Sequence, residues 1–380
     1  MFAYKRKKPL TALVLTTLPL VAVLASSFNA NAAENYKLRQ SPLGSFGGDI
    51  ATPADKPGFF GTASFTQVTV EGIKGPTGNT LSAPAIPTTS AGRAPNGAAV
   101  TFTVPEGTVN LKQDQPQLNL AAGYLTESTY ADGRIAFVAN VPFVKQSRTA
   151  SIVYPNAIIS PSPFQAAYES TVNGLVKAGT LPQSRAATGD ATGIGDTELS
   201  AVWIRHTGPL KVAAGVSVFV PTGKFSKSND TVLLPNPGFG DFYTIRPGVA
   251  FTYNLNPNHS HQDWDAGVTV AGRIAYGVNT RNKDTDYKSG NFVYSEAAIV
   301  KVAGDVAFGF NLSATEQVTD DSQGAVKTLI GRYKNYAAGP FFSYKFPGQD
   351  MGLNFQMNRN FSGKNAIDVT SYQLRLIKAF

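Results

Sequence analysis

Apolar and polar positions alternate with a period of two from about residue 115 to the C-terminus, in blocks of about ten residues separated by turn signals. Across 245–255 the odd positions are Ile245, Pro247, Val249, Phe251, Tyr253 and Leu255, and the even ones are Arg246, Gly248, Ala250, Thr252 and Asn254. The same contrast recurs over 264–276, 306–314 and 351–358. An apolar face backed by a face of Gly, Ala, Ser and Asn is what a strand needs when one side meets lipid and the other lines a closed barrel.

Strands are expected near 60–73, 117–128, 134–146, 196–206, 210–221, 243–255, 264–277, 292–302, 306–317, 335–346, 350–360 and 367–380. Short turns such as Ala131-Asp132-Gly133, Thr207-Gly208-Pro209 and Pro347-Gly348-Gln349 alternate with long Gly/Ser/Asn/Asp-rich connections. The reading is an all-β fold, a transmembrane antiparallel β-barrel of about twelve strands with one short helix in a long external loop. The last strand carries Tyr372, Leu374 and Leu376 on one face and ends on Phe380, the kind of strand by which the barrel-assembly machinery is engaged. Lys378 departs from that pattern, and a lysine near the interface can snorkel. Aromatics near strand ends, among them Tyr253, Trp264, Tyr276 and Phe346, fit interfacial girdles.

Two insertions, 74–115 and 148–194, are expected as long external loops. In the second, Ser162 is placed to cap a helix, Pro163 fits its first turn, Phe164, Tyr168, Val172 and Leu175 form an apolar stripe, and Gly179 ends it. The stripe makes this helix either a constriction in the barrel mouth or a cover on the rim.

Lys5 to Lys8, the apolar run from Leu10 to Leu24 and Ala30-Asn31-Ala32 predict a signal peptide over 1–32, followed by a periplasmic segment over 33–58 and the barrel over 59–380. Removing those four cations lowers the net charge from +8 to +4, which does not argue for nucleic-acid binding. Without cysteine, the fold gains nothing from disulfides and holds no thiol or zinc-finger chemistry. Export plus lipid-facing strands places the chain in the bacterial outer membrane.

Catalytic constellations are lacking in the sequence. His206, His259 and His261 fall at short turns, and Asp284, Asp286, Asp320 and Asp321 fall in loops without calcium-loop spacing, so no enzyme, metal or cofactor is expected. Gly193-Ile194-Gly195-Asp196 and Gly238-Phe239-Gly240-Asp241 open strands, so they cannot place a pyrophosphate on a helix N-terminus. Arg246, Arg273, Arg375, Lys301 and Lys345 are assigned to the non-lipid faces of their strands, with Phe219 and Phe341, as candidate channel-lining residues.

The two G-x-G-D turns, each followed by an alternating strand, with Pro221-Thr222-Gly223 closing the strand between them, resemble the outer-membrane transporter family associated with the meta-pathway of phenol degradation. The resemblance covers roughly residues 55–380 and is strongest from Gly193 to Tyr276. It implies an outer-membrane barrel that passes aromatic or other poorly polar compounds; it carries no ligand-binding residues over. Passive or gated uptake of small aromatic or hydrophobic solutes is the leading expectation. A general or anion-preferring small pore and a non-conducting barrel whose loops bind partners stay open beside it.

Overall fold

The computed structural model describes residues 34, 38–39, 56–94, 96–226, 234–256, 267–324, 326–327 and 331–380. Twelve strands form the wall: β1 Gly58–Lys74, β2 Gly107–Leu125, β3 Arg134–Val153, β4 Thr197–Thr207, β5 Leu210–Val220, β6 Thr244–Asn254, β7 Val268–Asn279, β8 Phe292–Ala303, β9 Val306–Gln317, β10 Lys334–Phe346, β11 Met351–Lys364 and β12 Ala366–Ala379. Each pairs antiparallel with its chain neighbours. The ring closes where Phe60 of β1 faces Ala379 of β12, and the Phe380 N–H donates to the Phe59 carbonyl. The even count leaves both ends of the sheet at one rim, here the turn end; the long connections gather at the other, the loop end.

Outward positions carry half-exposed Phe65, Leu120, Phe137, Ile274, Phe308 and Leu374, a belt of apolar surface that only lipid can cover. Inward positions are small or amide. Lys378 points outward at the turn end and lies 5.4 Å from the Phe380 ring centroid, so its stem covers apolar surface while its head reaches the interface.

The first three strands are longer than the alternation suggests. β2 begins at Gly107 instead of 117 and β3 continues to Val153 instead of 146, which shortens both expected loops. In these extensions the pattern inverts: Asn110, Lys112, Ser147 and Thr149 face outward, while Val109, Leu111 and Ile152 are buried inside. Above the membrane the outer face meets water, so a rule that reads apolar as outward loses the strand there.

The two insertions fold together. Segments Ile86–Arg93, Ala99–Val104 and Ile158–Ser160 make a separate three-stranded sheet, and helix α1, Gln165–Ala187, packs on it. Val172 and Val176 are buried there with Val100, Phe102, Val104 and Ile159, and Phe164, Tyr168 and Leu175 close the edges. The apolar stripe therefore packs against this small sheet. Ser162 makes no capping bond and sits in a 3-10 turn, Ser162–Phe164. Nor does the helix end at Gly179. It runs through Pro182 to Ala187 because Thr180, Ser184 and Ala187 are buried, the last against Val70, Ile73 and Val109 at the barrel rim. That packing outweighs the lost backbone donor of Pro182.

Candidate functional site: the lumen

The lumen has three levels. At the loop end, residues expected on the periplasmic side lie inside the barrel. Arg39, 2% exposed, donates from Nε to Asp196 Oδ2 at 2.9 Å, from one terminal nitrogen to the Gly240 carbonyl at 3.0 Å, and from the other to the Phe242 carbonyl. Its guanidinium lies 3.7 Å from the Phe242 ring centroid. Burial draws its pKa below the ordinary arginine value, and the Asp196 carboxylate opposes that shift. Leu38 packs with Phe292, Tyr294, Tyr333 and Ala366, and Glu34 accepts from Thr285 Oγ1 and Asn282 Nδ2 at 2.6 and 2.9 Å. These three residues touch β8, β10, β12 and the approaches to β4, β6 and β8, so they form a bar across the mouth. The expectation of a periplasmic 33–58 segment is corrected accordingly for Glu34, Leu38 and Arg39; among the described residues of that segment, Lys56 reaches the turn end, on Asp350 at 2.6 Å.

The two G-x-G-D turns are the socket of this bar. Asp196 also accepts from the backbone N–H of Gly223 and of Phe239, both at 3.0 Å. A Cβ on Gly223 would stand 2.5 Å from the Gly238 Cα, so Pro221-Thr222-Gly223 and the second turn meet backbone to backbone, which only glycine permits. Further along the connection the Asn236 N–H donates to Gln146 Oε1 at 2.8 Å, inside the barrel.

At mid-depth the cations are paired. Arg246 contacts Glu198 at 2.5 Å and lies 5.0 Å from the Phe219 centroid. Arg273 contacts Glu296 at 2.7 Å and the Tyr294 hydroxyl at 3.3 Å, and that hydroxyl donates to Glu296 in turn. Arg375 donates to Gln373 at 3.0 Å, and Gln373 receives Gln356 and donates to Thr66, both at 2.9 Å. On β2 an amide track descends from Gln113 through Gln115 and Gln117 to Asn119, each donating to the next at 2.7 to 3.1 Å.

Below lies a cavity of about 500 Å³ toward the turn end. Ala213, Ala250, Ala275, Val202, Ile204 and Ile377 make apolar walls, and Arg246, Arg273, Arg375 and Tyr294 its upper end. Phe341 packs inside with Ala271, Ala298, Val300 and Ala307, and Lys345 sits on the inner face at the turn-end mouth.

Lys301 does not join this set. It stands opposite Phe308 on β9, and cross-strand partners share a face, so it projects outward. Two residues from the turn, its stem runs along the wall to the interface, where a charge costs little. The alternation reading failed here because Val300 beside it is equally apolar and is the inward residue. Lys301→Gln is expected to leave the reversal potential of the conducting protein unchanged, whereas Arg375→Gln moves it toward cations; a shift with Lys301→Gln would return that side chain to the lumen.

His206 sits on the turn-end stretch of β4, opposite Lys211, and His259, His261 and Trp264 lie outside the described residues. Asp321 accepts from the Tyr287 hydroxyl, the Gly290 N–H and Gln317, and so ties loops together. Among the described residues no group of three or more His, Cys, Asp or Glu is placed to hold a metal. The functional residues that pattern reading missed are Arg39 and Asp196. Their signal was an acid in each of two glycine turns, which calls for a donor, and the single arginine of the short stretch preceding the barrel.

A family model described as "Putative MetA-pathway of phenol degradation" matches residues 93–376. Among solved structures, an outer membrane channel from Pseudomonas putida F1 is similar at TM-score 0.58 and 12% identity, covering 90% of this chain and 100% of that one. The β domain of a Bordetella autotransporter is similar at TM-score 0.42 and 10% identity, covering 86% and 100%. A mutant of the monoaromatic hydrocarbon channel TodX is similar at TM-score 0.40 and 12% identity, covering 88% and 93%. At these identities the likeness establishes the barrel fold alone. No curated protein matches the chain.

Proposed function

Since the chain belongs to the family of the MetA pathway of phenol degradation, on a match spanning residues 93–376, we propose that it is an outer-membrane channel for small aromatic compounds, best suited to those that carry a carboxylate or hydroxyl. One observation carries this reading: a cavity of about 500 Å³, lined by Ala, Val and Ile together with Ser, Thr and Asn, ends on three arginines and a tyrosine beside Glu198. A ring lies against Ala, Val and Ile, and its acidic group reaches Arg246, Arg273 or Arg375, which a plain hydrocarbon leaves unused. The amide track supplies further hydrogen-bond partners between the mouth and the cavity.

Planar-bilayer recording of the refolded mature chain tests it. Benzoate is expected to lower ion conductance in a saturable way and to cross into proteoliposomes faster than toluene of similar size. Equal rates for both, or no effect of benzoate, would leave an unselective pore. A general anion-preferring pore is favoured by Lys345 at the turn-end mouth, and reversal potentials in a salt gradient separate the readings. Because Glu198 and Glu296 each hold a lumen arginine, Glu296→Gln is expected to raise anion over cation permeability severalfold by leaving Arg273 without its carboxylate. An unchanged reversal potential would show that ions pass elsewhere.

A further inference from the structure

The outer wall carries a second concavity, of about 560 Å³, on the membrane face near the turn end. Ala122, Gly123, Ala139 and Ala201 make its floor, with Phe59, Tyr124 and Phe137 standing on one side and Leu199, Val216 and Val218 on the other. The aromatic side is fixed, since Phe59 and Tyr124 pack at 4.9 Å between centroids.

The face does not end at the groove. Leu199, Ala201, Trp203 and Arg205 follow one another on the outer face of β4 and lead from the groove to the turn. Trp203 is locked by its Nε1, which donates to the Tyr130 carbonyl at 2.8 Å, at the depth where indoles mark the interface. At the foot, Arg205 pairs with Asp132 at 3.2 Å, and both remain accessible, 41% and 80% exposed. An apolar channel thus ends on one exposed cation and one exposed anion.

We propose that this groove and charge pair form a binding site for a zwitterionic phospholipid with a primary ammonium headgroup. An acyl chain lies on the alanine floor, the phosphate meets Arg205, and the ammonium donates to Asp132. The position within the lipid-covered belt fixes the occupant as hydrocarbon, and the pair of opposite charges selects the headgroup. An anionic headgroup satisfies Arg205 only and faces Asp132; a quaternary ammonium has no N–H to give it. The proposal rests on the membrane placement of the turn end and is independent of what the lumen conducts.

Native mass spectrometry of the full mature chain, released from nanodiscs holding equal phosphoethanolamine, phosphoglycerol and phosphocholine lipids, tests it. The expected spectrum shows one retained phosphoethanolamine lipid per chain. Ala201→Phe fills the floor and is expected to cut retention about fivefold, on the order of the burial of one side chain's area. Asp132→Asn keeps the groove and turns the preference toward phosphoglycerol. Both variants must show the heat-dependent gel shift of a folded barrel, so misfolding is told apart from loss of the site; Asp132→Asn, at an exposed turn, provides the reading if Ala201→Phe does not fold. Retention indifferent to headgroup and to Ala201→Phe, or a second copy of the chain in place of lipid, would overturn the proposal.

Discussion

Arg39→Ala is expected to raise the conductance of the barrel, seen in planar bilayers as larger or longer-lived current steps than those of the unaltered chain. The guanidinium is 2% exposed and is the common partner of Asp196, Gly240 and Phe242. Removing it leaves the Asp196 carboxylate buried against two backbone donors only, and loss of one partner of a buried pair costs about 3 to 5 kcal/mol. At 1.4 kcal/mol per tenfold, even about 3 kcal/mol moves the closed-to-open ratio roughly a hundredfold. Asp196→Asn breaks the same contact from the other side. Acting on one network, the two substitutions together should do little more than either alone, and full additivity in a double-mutant cycle would place the closure elsewhere. Arg39→Lys keeps a charge but loses the fork and the stacking, and an intermediate open fraction is expected.

The second large effect separates the rim module from the pore. Val172→Asp places a carboxylate among Val100, Phe102, Val104 and Ile159, where no cation stands within the cluster. An unpaired buried charge exceeds what so small a core contributes, so the module is expected to open and become sensitive to protease between residues 86 and 187. The barrel has its own hydrogen-bonded closure through β1 and β12 and should keep its heat-dependent gel shift. Conductance should stay where it was, because the substitution leaves the contacts of Arg39 with Asp196 and Gly240 intact. A jump in conductance with Val172→Asp would restore α1 as a constriction.

The sequence exposed the barrel well where membrane and lumen impose opposite demands on successive residues. Ile245 to Leu255 reads as a strand because lipid requires one set of side chains and water the other, and β6 occupies almost those limits. Legibility failed wherever one of the two solvents changed. On β2 and β3 the outer solvent becomes water beyond Phe143 and Leu118, so Lys145 and Asp114 point outward and the period-two signal changes sign. Lys301 failed for the opposite reason, since a patch of apolar lumen around Val300 and Phe341 erases the contrast. The α1 stripe showed that a helix buries one face but not against what, since Phe102 and Ile159, its partners, lie outside the helix itself. The bar was hidden because a short polar stretch has no periodicity. Only the chemistry of Asp196, a buried acid in a glycine turn, required a cation from somewhere else in the chain.

The three long strands have one more implication. β1, β2 and β3 have 17, 19 and 20 residues against 11 to 14 for the others; β1 ends level with β12, Lys74 facing Ala366, whereas β2 and β3 continue together past the last β1 partner, Gln113, for on the order of 20 Å of strand. Beside β1, β12 and β11 end at the same level and are joined through Asn365 alone. The mouth is thus uneven, tallest along β2 and β3. A large ligand approaching the loop end therefore meets the β2–β3 extension and its module before the wall, while the tight β11–β12 turn leaves the adjoining stretch of rim low.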